Sequence, residues 1–298
     1  MDYGGILKRS WDITWKNKGL WILGILAGCT AGNGNPSQTS SYQFSRSDFV
    51  NVDPYLRSVP EETWILVAIG LVMVFLLVMA AVIVLGILGQ AGLIAGVARA
   101  DETGSVSLGE AWRGGVPHFW KLLGLALLLF LLVLVVALAV GLFTVLSFGL
   151  AFLCLLPLIC LLIPVGVLIA AYLSLVQNGI VLENLGVFQA FERAWQILRA
   201  NFWPIVAMAL ILLLIGLVAG IVMAVPFFLV LFPIVALAVA GSDTWMGILP
   251  MLACIVVYFP VLLVVSGILT TFTSGTWTLV FRRLTGIVPM AESVPAPA

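Results

Sequence analysis

Few residues in this chain are of a type that could do chemistry, and their spacing keeps them apart. The one histidine, His118, follows Pro117, and Glu110 and Glu183 fall in other loops. An acid–base pair or a metal set needs its members in one cleft, so these three predict neither. Cys29, Cys154, Cys160 and Cys254 all lie in apolar sequence without C-x-x-C spacing, which argues against a disulfide framework or a zinc site. Asp101, Glu102, Glu110, Glu183 and Glu192 neighbour basic residues and read as solvated interfacial charge. No catalytic residue, metal site or cofactor is therefore expected. More informative is a polar-x-Gly pattern that recurs three times inside apolar sequence: Gln90-Ala91-Gly92, Gln177-Asn178-Gly179 and Thr273-Ser274-Gly275. A carboxamide or hydroxyl surrounded by hydrocarbon must find a hydrogen-bond partner, and glycine lets helices approach closely. Gln90 stands nine residues before Arg99, about 13 Å along a helix. At equal depth, Gln90, Gln177, Asn178, Thr273 and Ser274 would form one polar layer, serving either as interhelical glue or as a cavity that takes a headgroup or small solute from the cytoplasm. Ser266, Thr270, Thr271, Thr276 and Thr278 enlarge the polar face of the last segment.

The elements that must carry this layer are membrane-spanning helices. Of 298 residues, 63% are hydrophobic and 9% charged, and the stretches 63–98, 122–182, 200–242 and 244–281 carry no charge at all. About 20 apolar residues already cross a ~30 Å hydrocarbon core. The fold class expected is an all-α polytopic membrane protein with six spans. These are about 19–30, 63–98, 120–143, 150–178, one tilted or broken helix from Asn201, and 247–281. The segment after Asn201 carries Pro204, Pro226 and Pro233, which predict a re-entrant or interfacial piece before Gly241. The first segment is short and would have to extend back through Trp15 to cross. With the N-terminus inside, eleven Lys and Arg residues fall on the cytoplasmic side, and only Arg46 and Arg57 outside. Both termini are thus expected in the cytoplasm. Trp21, Trp64, Trp120, Trp203 and Trp245 fall at span ends, where the headgroup level suits an indole. A net charge of zero and no basic stripe leave nucleic acid without a docking surface.

The chain also repeats. KRSWDITWKNKGLWILGIL at 8–26, GEAWRGGVPHFWKLLGLAL at 109–127 and ERAWQILRANFWPIVAMAL at 192–210 each place a small residue and a Trp ahead of an apolar run. Arg99 and Arg282 each follow the landmark glycine by seven residues, and Gly104, Gly186 and Gly286 end the three stretches. The expected organisation is one transmembrane domain over 1–286, with units of about 4–98, 106–178 and 187–281, an outer loop at 31–62 and a disordered cytoplasmic tail at 287–298. Each unit is one amphipathic interfacial helix (about 4–17, 106–117 and 187–200) plus two spans, entering from one side like parallel repeats about a pseudo-threefold axis. Lys8, Arg9, Lys16, Arg113, Lys121, Arg193 and Arg199 lie on or beside these helices and are candidate contacts for lipid headgroups.

This unit, with its small-Trp anchor and the opening ILKRSWDITWKNKGLWILGILAG, resembles bacterial six-span membrane proteins of unassigned function near the membrane domain of glycerophosphoryl diester phosphodiesterases and the YciC-like proteins. The resemblance covers about 4–286. It implies a multi-pass protein of the bacterial cell (inner) membrane and carries over no catalytic residue. Leu26-Ala27-Gly28-Cys29 also looks like a lipobox, which would lipidate Cys29 and remove the first segment. Because residues 8–26 match two internal copies, retention is the expectation. The function expected is non-catalytic: a scaffold, assembly partner or lipid-organising element, with membrane lipids and a membrane protein as partners. The alternative is a transporter or channel that passes a lipid or neutral solute through the polar layer. Ion coupling is disfavoured, since no ionisable residue lies within a span to carry a proton.

Overall fold

The computed structural model describes residues 2–29, 61–146, 150–239 and 244–286, and all regular structure among them is helical. In chain order the helices are α1 (Tyr3–Lys16), α2 (Gly19–Cys29), α3 (Glu61–Thr103), α4 (Leu108–Gly115), a 3-10 turn (Val116–His118), α5 (Phe119–Leu146), α6 (Leu150–Leu182), α7 (Val187–Ala200), α8 (Phe202–Val239) and α9 (Thr244–Thr285). Five helical runs are long and apolar enough to cross a membrane: Ile69–Thr103, Leu108–Val145, Pro164–Leu182, Phe202–Val225 and Tyr258–Thr285. In hydrocarbon no water can satisfy a free backbone group, so helices that pair their own N–H and C=O groups are what such sequence must form.

The three short amphipathic helices start at defined caps. The Asp2 side chain accepts from the Gly5 N–H at 3.0 Å, and Ser107 and Glu110 form a reciprocal capping box at the start of α4. At α7 the Gln189 side chain accepts from the Gly186 N–H at 3.2 Å.

Packing follows a closed pattern. Helices α3, α6 and α9 contact one another pairwise and form an inner triangle. Around it, α2 sits against α3 and α9, α5 against α3 and α6, and α8 against α6 and α9. The short helices cover one end: α4 on α3, α7 on α6 and α1 on α9. Each rests on a landmark glycine. A Cβ on Gly92 would lie 3.2 Å from the Ala111 carbonyl, on Gly275 3.0 Å from Ser10 Oγ, and on Gly179 3.8 Å from the Ala190 Cβ. Helices α2 and α9 also approach closely, where a Cβ on Gly24 would lie 2.3 Å from the Gly267 carbonyl oxygen and 2.3 Å from Thr271 Oγ1. Thr271 uses that proximity to donate to the Leu20 carbonyl at 3.1 Å as well as to Gly267 of its own helix. The core is densest at the end covered by α1, α4 and α7, with Ile6, Leu20, Leu93, Val97, Ile180 and Phe281 all buried.

Three expectations need correction. The first apolar helix does not extend back through Trp15. The chain turns at Asn17, whose Nδ2 donates to the Ile13 carbonyl and whose Oδ1 accepts from the Val106 N–H, so the described part of α2 is 11 residues. At 1.5 Å per residue that is about 16 Å, half a hydrocarbon core. Second, α8 runs unbroken from Phe202 to Val239 through all three prolines. Each proline removes one donor, but leaving the helix in hydrocarbon would free many more groups. Third, the middle unit ends at Asn184, not Gly186. Asn184 has φ 53°, in the left-handed region that Gly104 (φ 81°) and Gly286 (φ 68°) occupy after α3 and α9. Gly186 instead precedes α7 as its N-cap. The loop 31–60, the tail 287–298 and the side chain of Cys29 lie outside the described residues, so the lipidation reading does too.

Candidate functional site

The helical period sets the site. Val167, Ala170, Ala171, Ser174, Gln177 and Asn178 recur at three- and four-residue steps and so share one face of α6. That face meets Gln90 and Ile94 of α3, Thr273, Ser274 and Trp277 of α9, and Ala209, Leu212 and Leu213 of α8 around a recess of about 70 Å³. All five residues of the expected polar layer, Gln90, Gln177, Asn178, Thr273 and Ser274, line it. Gln90 Nε2 donates to Gln177 Oε1 at 2.6 Å, joining α3 to α6. Asn178 Nδ2 donates to the Ser174 carbonyl at 2.8 Å, and Thr273 donates to the Leu269 carbonyl at 2.9 Å. Thr276 and Thr278 likewise bond back to Phe272 and Ser274 of their own helix, so these hydroxyls add no free polar face.

The recess has a floor and a mouth. Toward α1, α4 and α7 it is sealed by Ile94, Val97, Ile180, Val280 and Phe281, none more than 2% exposed. In the other direction Leu85 on α3, Val165 on α6 and Val264 on α9 are exposed, and Ile169 and Leu214 are exposed beside the lining residues Ala170 and Leu213. Approach from the cytoplasm was the expectation for a functional layer. The buried side chains beneath the recess lie at the end that reading makes cytoplasmic. All the described residues lining the recess are uncharged.

The candidate headgroup residues divide into two groups. Arg9 donates to the Asp101 carboxylate at 3.0 Å and to the Asp101 carbonyl, Arg193 pairs with Glu183 at 3.2 Å, and Lys121 Nζ donates to the backbone and side-chain oxygens of Asn184. Arg199 stacks over Trp195 at 5.2 Å from the ring centroid. Lys8, Lys16 and Arg113 are exposed. The aromatic residues Trp120, Trp203 and Phe188 beside these helices are each more than three-quarters exposed, as headgroup-level anchors are.

Two features escape a reading by sequence alone. Arg282 is only 2% exposed and donates to the Ala98 carbonyl at 2.6 Å, to Asp101 at 3.3 Å and to Glu102 at 2.5 Å. With Arg9 on the other Asp101 oxygen, this cluster ties α1, α3 and α9 together, so Asp101 is not the solvated charge its neighbours in sequence suggest. The second concerns His118. Its Nδ1 donates to the Gly114 carbonyl at 3.3 Å, as Asn17 donates to Ile13 and Asn201 to Ile197, each four residues back. All three stand six residues after the anchor Trp of their unit, Trp11, Trp112 or Trp195. That offset was the available signal: Asn17 and Asn201 are the C-caps of α1 and α7, while His118 ends the 3-10 turn after α4 and makes the same bond four residues back from a different backbone position. Among the described residues no group of His, Cys, Asp and Glu is arranged to hold a metal.

Apolar helices of membrane-crossing length around a recess of uncharged polar groups define a multi-pass helical membrane protein. Comparison with known families narrows this further: the chain belongs to the DUF7847 family, a domain of unknown function, which it matches over residues 60–284. Helices α1 and α2 precede the matched region, although α2 packs directly on α3 and α9 within it. No curated protein and no solved structure matches the chain.

Proposed function

We propose that this is a non-catalytic integral membrane protein with a lipid-organising role, holding a membrane-resident molecule in the recess between α3, α6, α8 and α9. The observation that carries this reading is the recess itself: uncharged hydrogen-bonding groups at its base, a packed floor beneath, and apolar helix surface at its mouth. A molecule arriving from the bilayer meets apolar walls first and polar groups last, which is the order of a tail and a head.

The same reading takes the architecture as three units, with α2, α5 and α8 as first spans, α3, α6 and α9 as second spans, and six crossings in all. Its support is the cyclic adjacency: each first span lies between its own second span and that of the preceding unit, and each interfacial helix sits on the preceding unit's second span, with α1 closing the ring on α9. The excess of basic residues at the α1, α4 and α7 end supports placing that end, and both termini, in the cytoplasm of a bacterial cell.

The test is native mass spectrometry of protein extracted from its own membrane. Wild type is expected to retain a lipid adduct that Ala170→Leu, which fills the recess, loses. Equal adducts on both, or none on wild type, would refute the reading. Passage of a neutral solute, the competing function, would instead require the floor at Val97, Ile180 and Phe281 to open.

A further inference from the structure

The carboxamide of Asn178 is half used. The residue is 2% exposed, its Nδ2 donates to Ser174, and its Oδ1 is buried without a hydrogen-bond partner among the described residues. The assignment of the two atoms is fixed by that bond, since the reversed amide would set an acceptor against the Ser174 carbonyl. A buried acceptor left unmet is costly, so a donor at this point is favoured. Of the hydroxyls lining the recess, Ser174 donates to the Ala170 carbonyl and Thr273 to Leu269, and none, Ser274 included, donates to Asn178 Oδ1. The recess, at about 70 Å³, has room for roughly five waters at ~10–15 Å³ each, enough for a head of a few heavy atoms. Among the described residues no cation lines it, so a phosphate head would be buried there without a counter-charge. Val167 and Leu213 line the recess on the side away from the floor.

We propose that the recess binds an uncharged amphiphile whose head-group hydroxyl donates to Asn178 Oδ1, with its apolar tail leaving past Val167 and Leu213. The inference rests on the reading of the recess as a site for a membrane-resident molecule and adds the chemistry of its head. A hydroxyl is the smallest head that supplies a donor without charge. Water could supply the same donor, and the mouth decides between them, because apolar walls favour a molecule that brings its own tail.

The experiment uses the full chain in phosphatidylcholine nanodiscs, titrated with dioleoylglycerol or with its O-methyl ether, which has the same tails and no donor. Saturable shifts in thermal unfolding give the apparent affinities. In wild type the alcohol is expected to bind about tenfold more tightly than the ether, the ratio that one net hydrogen bond corresponds to. Asn178→Leu should remove the difference between alcohol and ether, and Ala170→Leu should remove binding of both. Should Asn178→Leu fail to fold, the alcohol-to-ether ratio in wild type and the Ala170→Leu result still decide. Equal affinity for alcohol and ether in wild type would overturn the hydroxyl assignment while leaving the recess as a lipid site. No shift with either compound would overturn both readings and leave water as the occupant of the recess.

Discussion

Replacing Gly24 by alanine probes the close joint between α2 and α9. The added Cβ would stand 2.3 Å from the Gly267 carbonyl oxygen and from Thr271 Oγ1, both on α9. Carbon and oxygen in contact need ~3.3 Å or more, so α2 and α9 must separate by about 1 Å. The Thr271 bond to the Leu20 carbonyl, 3.1 Å long, would then be broken, while the bond to Gly267 within α9 survives. Overpacking costs about 1–3 kcal/mol and the lost interhelical bond about 0.6 kcal/mol. Against that stands ~0.5–1 kcal/mol gained by exchanging glycine for alanine within a helix. The net expectation is a loss of about 1–3 kcal/mol. Gly28→Ala is the control on the same helix, because its Cβ would meet only Thr270 and Ser266 at 3.5 and 3.6 Å, ordinary contact distances. That variant should be neutral or slightly stabilising, as should Gly70→Ala, with nothing within 4 Å. The assay is unfolding in mixed micelles on titration with SDS, followed by far-UV circular dichroism. Equal stability of Gly24→Ala and Gly28→Ala would refute the close approach of α2 to α9.

Four further outcomes follow from the polar contacts. Asp101→Ala removes one carboxylate from the Arg282 side chain, 3% exposed, which keeps Glu102 and the Ala98 carbonyl, and leaves Arg9 only the residue-101 backbone carbonyl, so it should cost about 1–3 kcal/mol in the same assay. Arg9→Ala should cost under ~1 kcal/mol, since that side chain is 43% exposed. His118→Asn should fall within ~0.5 kcal/mol of wild type and His118→Leu should lose about 1 kcal/mol, because the side chain supplies one hydrogen bond to the Gly114 carbonyl that a carboxamide can also make. Gln90→Leu should destabilise by up to ~1.7 kcal/mol by leaving Gln177 without its 2.6 Å donor, whereas the double variant Gln90→Leu/Gln177→Leu should recover most of that loss.

What was legible in the sequence was local. The polar-x-Gly landmarks placed five residues around one recess because helical period and depth are properties of single segments. The relations between segments were not legible. Arg282 looks like any basic residue at the end of a span, and its burial depends on Ala98, Asp101 and Glu102 of a helix some 180 positions away. The side on which the recess closes depends on Phe281, Ile180 and Val97, one from each inner helix, whose meeting no spacing announces. Asn184 takes the left-handed turn expected of Gly186 because the chain needs that conformation two residues before α7 begins, and asparagine tolerates it. The prolines of α8 misled because their effect in water was carried into hydrocarbon.

The most direct test of a recess sealed at the α1, α4 and α7 end is thiol labelling of Gln177→Cys in intact membranes, with the four native cysteines replaced and Lys18→Cys as the reference for that face. A charged, water-soluble maleimide should label Lys18→Cys and leave Gln177→Cys unmodified from that side, while an apolar, membrane-partitioning maleimide should label Gln177→Cys. Labelling of Gln177→Cys by the charged reagent from the Lys18 side would contradict the account, since it requires an aqueous path through the packed layer of Val97, Ile180 and Phe281.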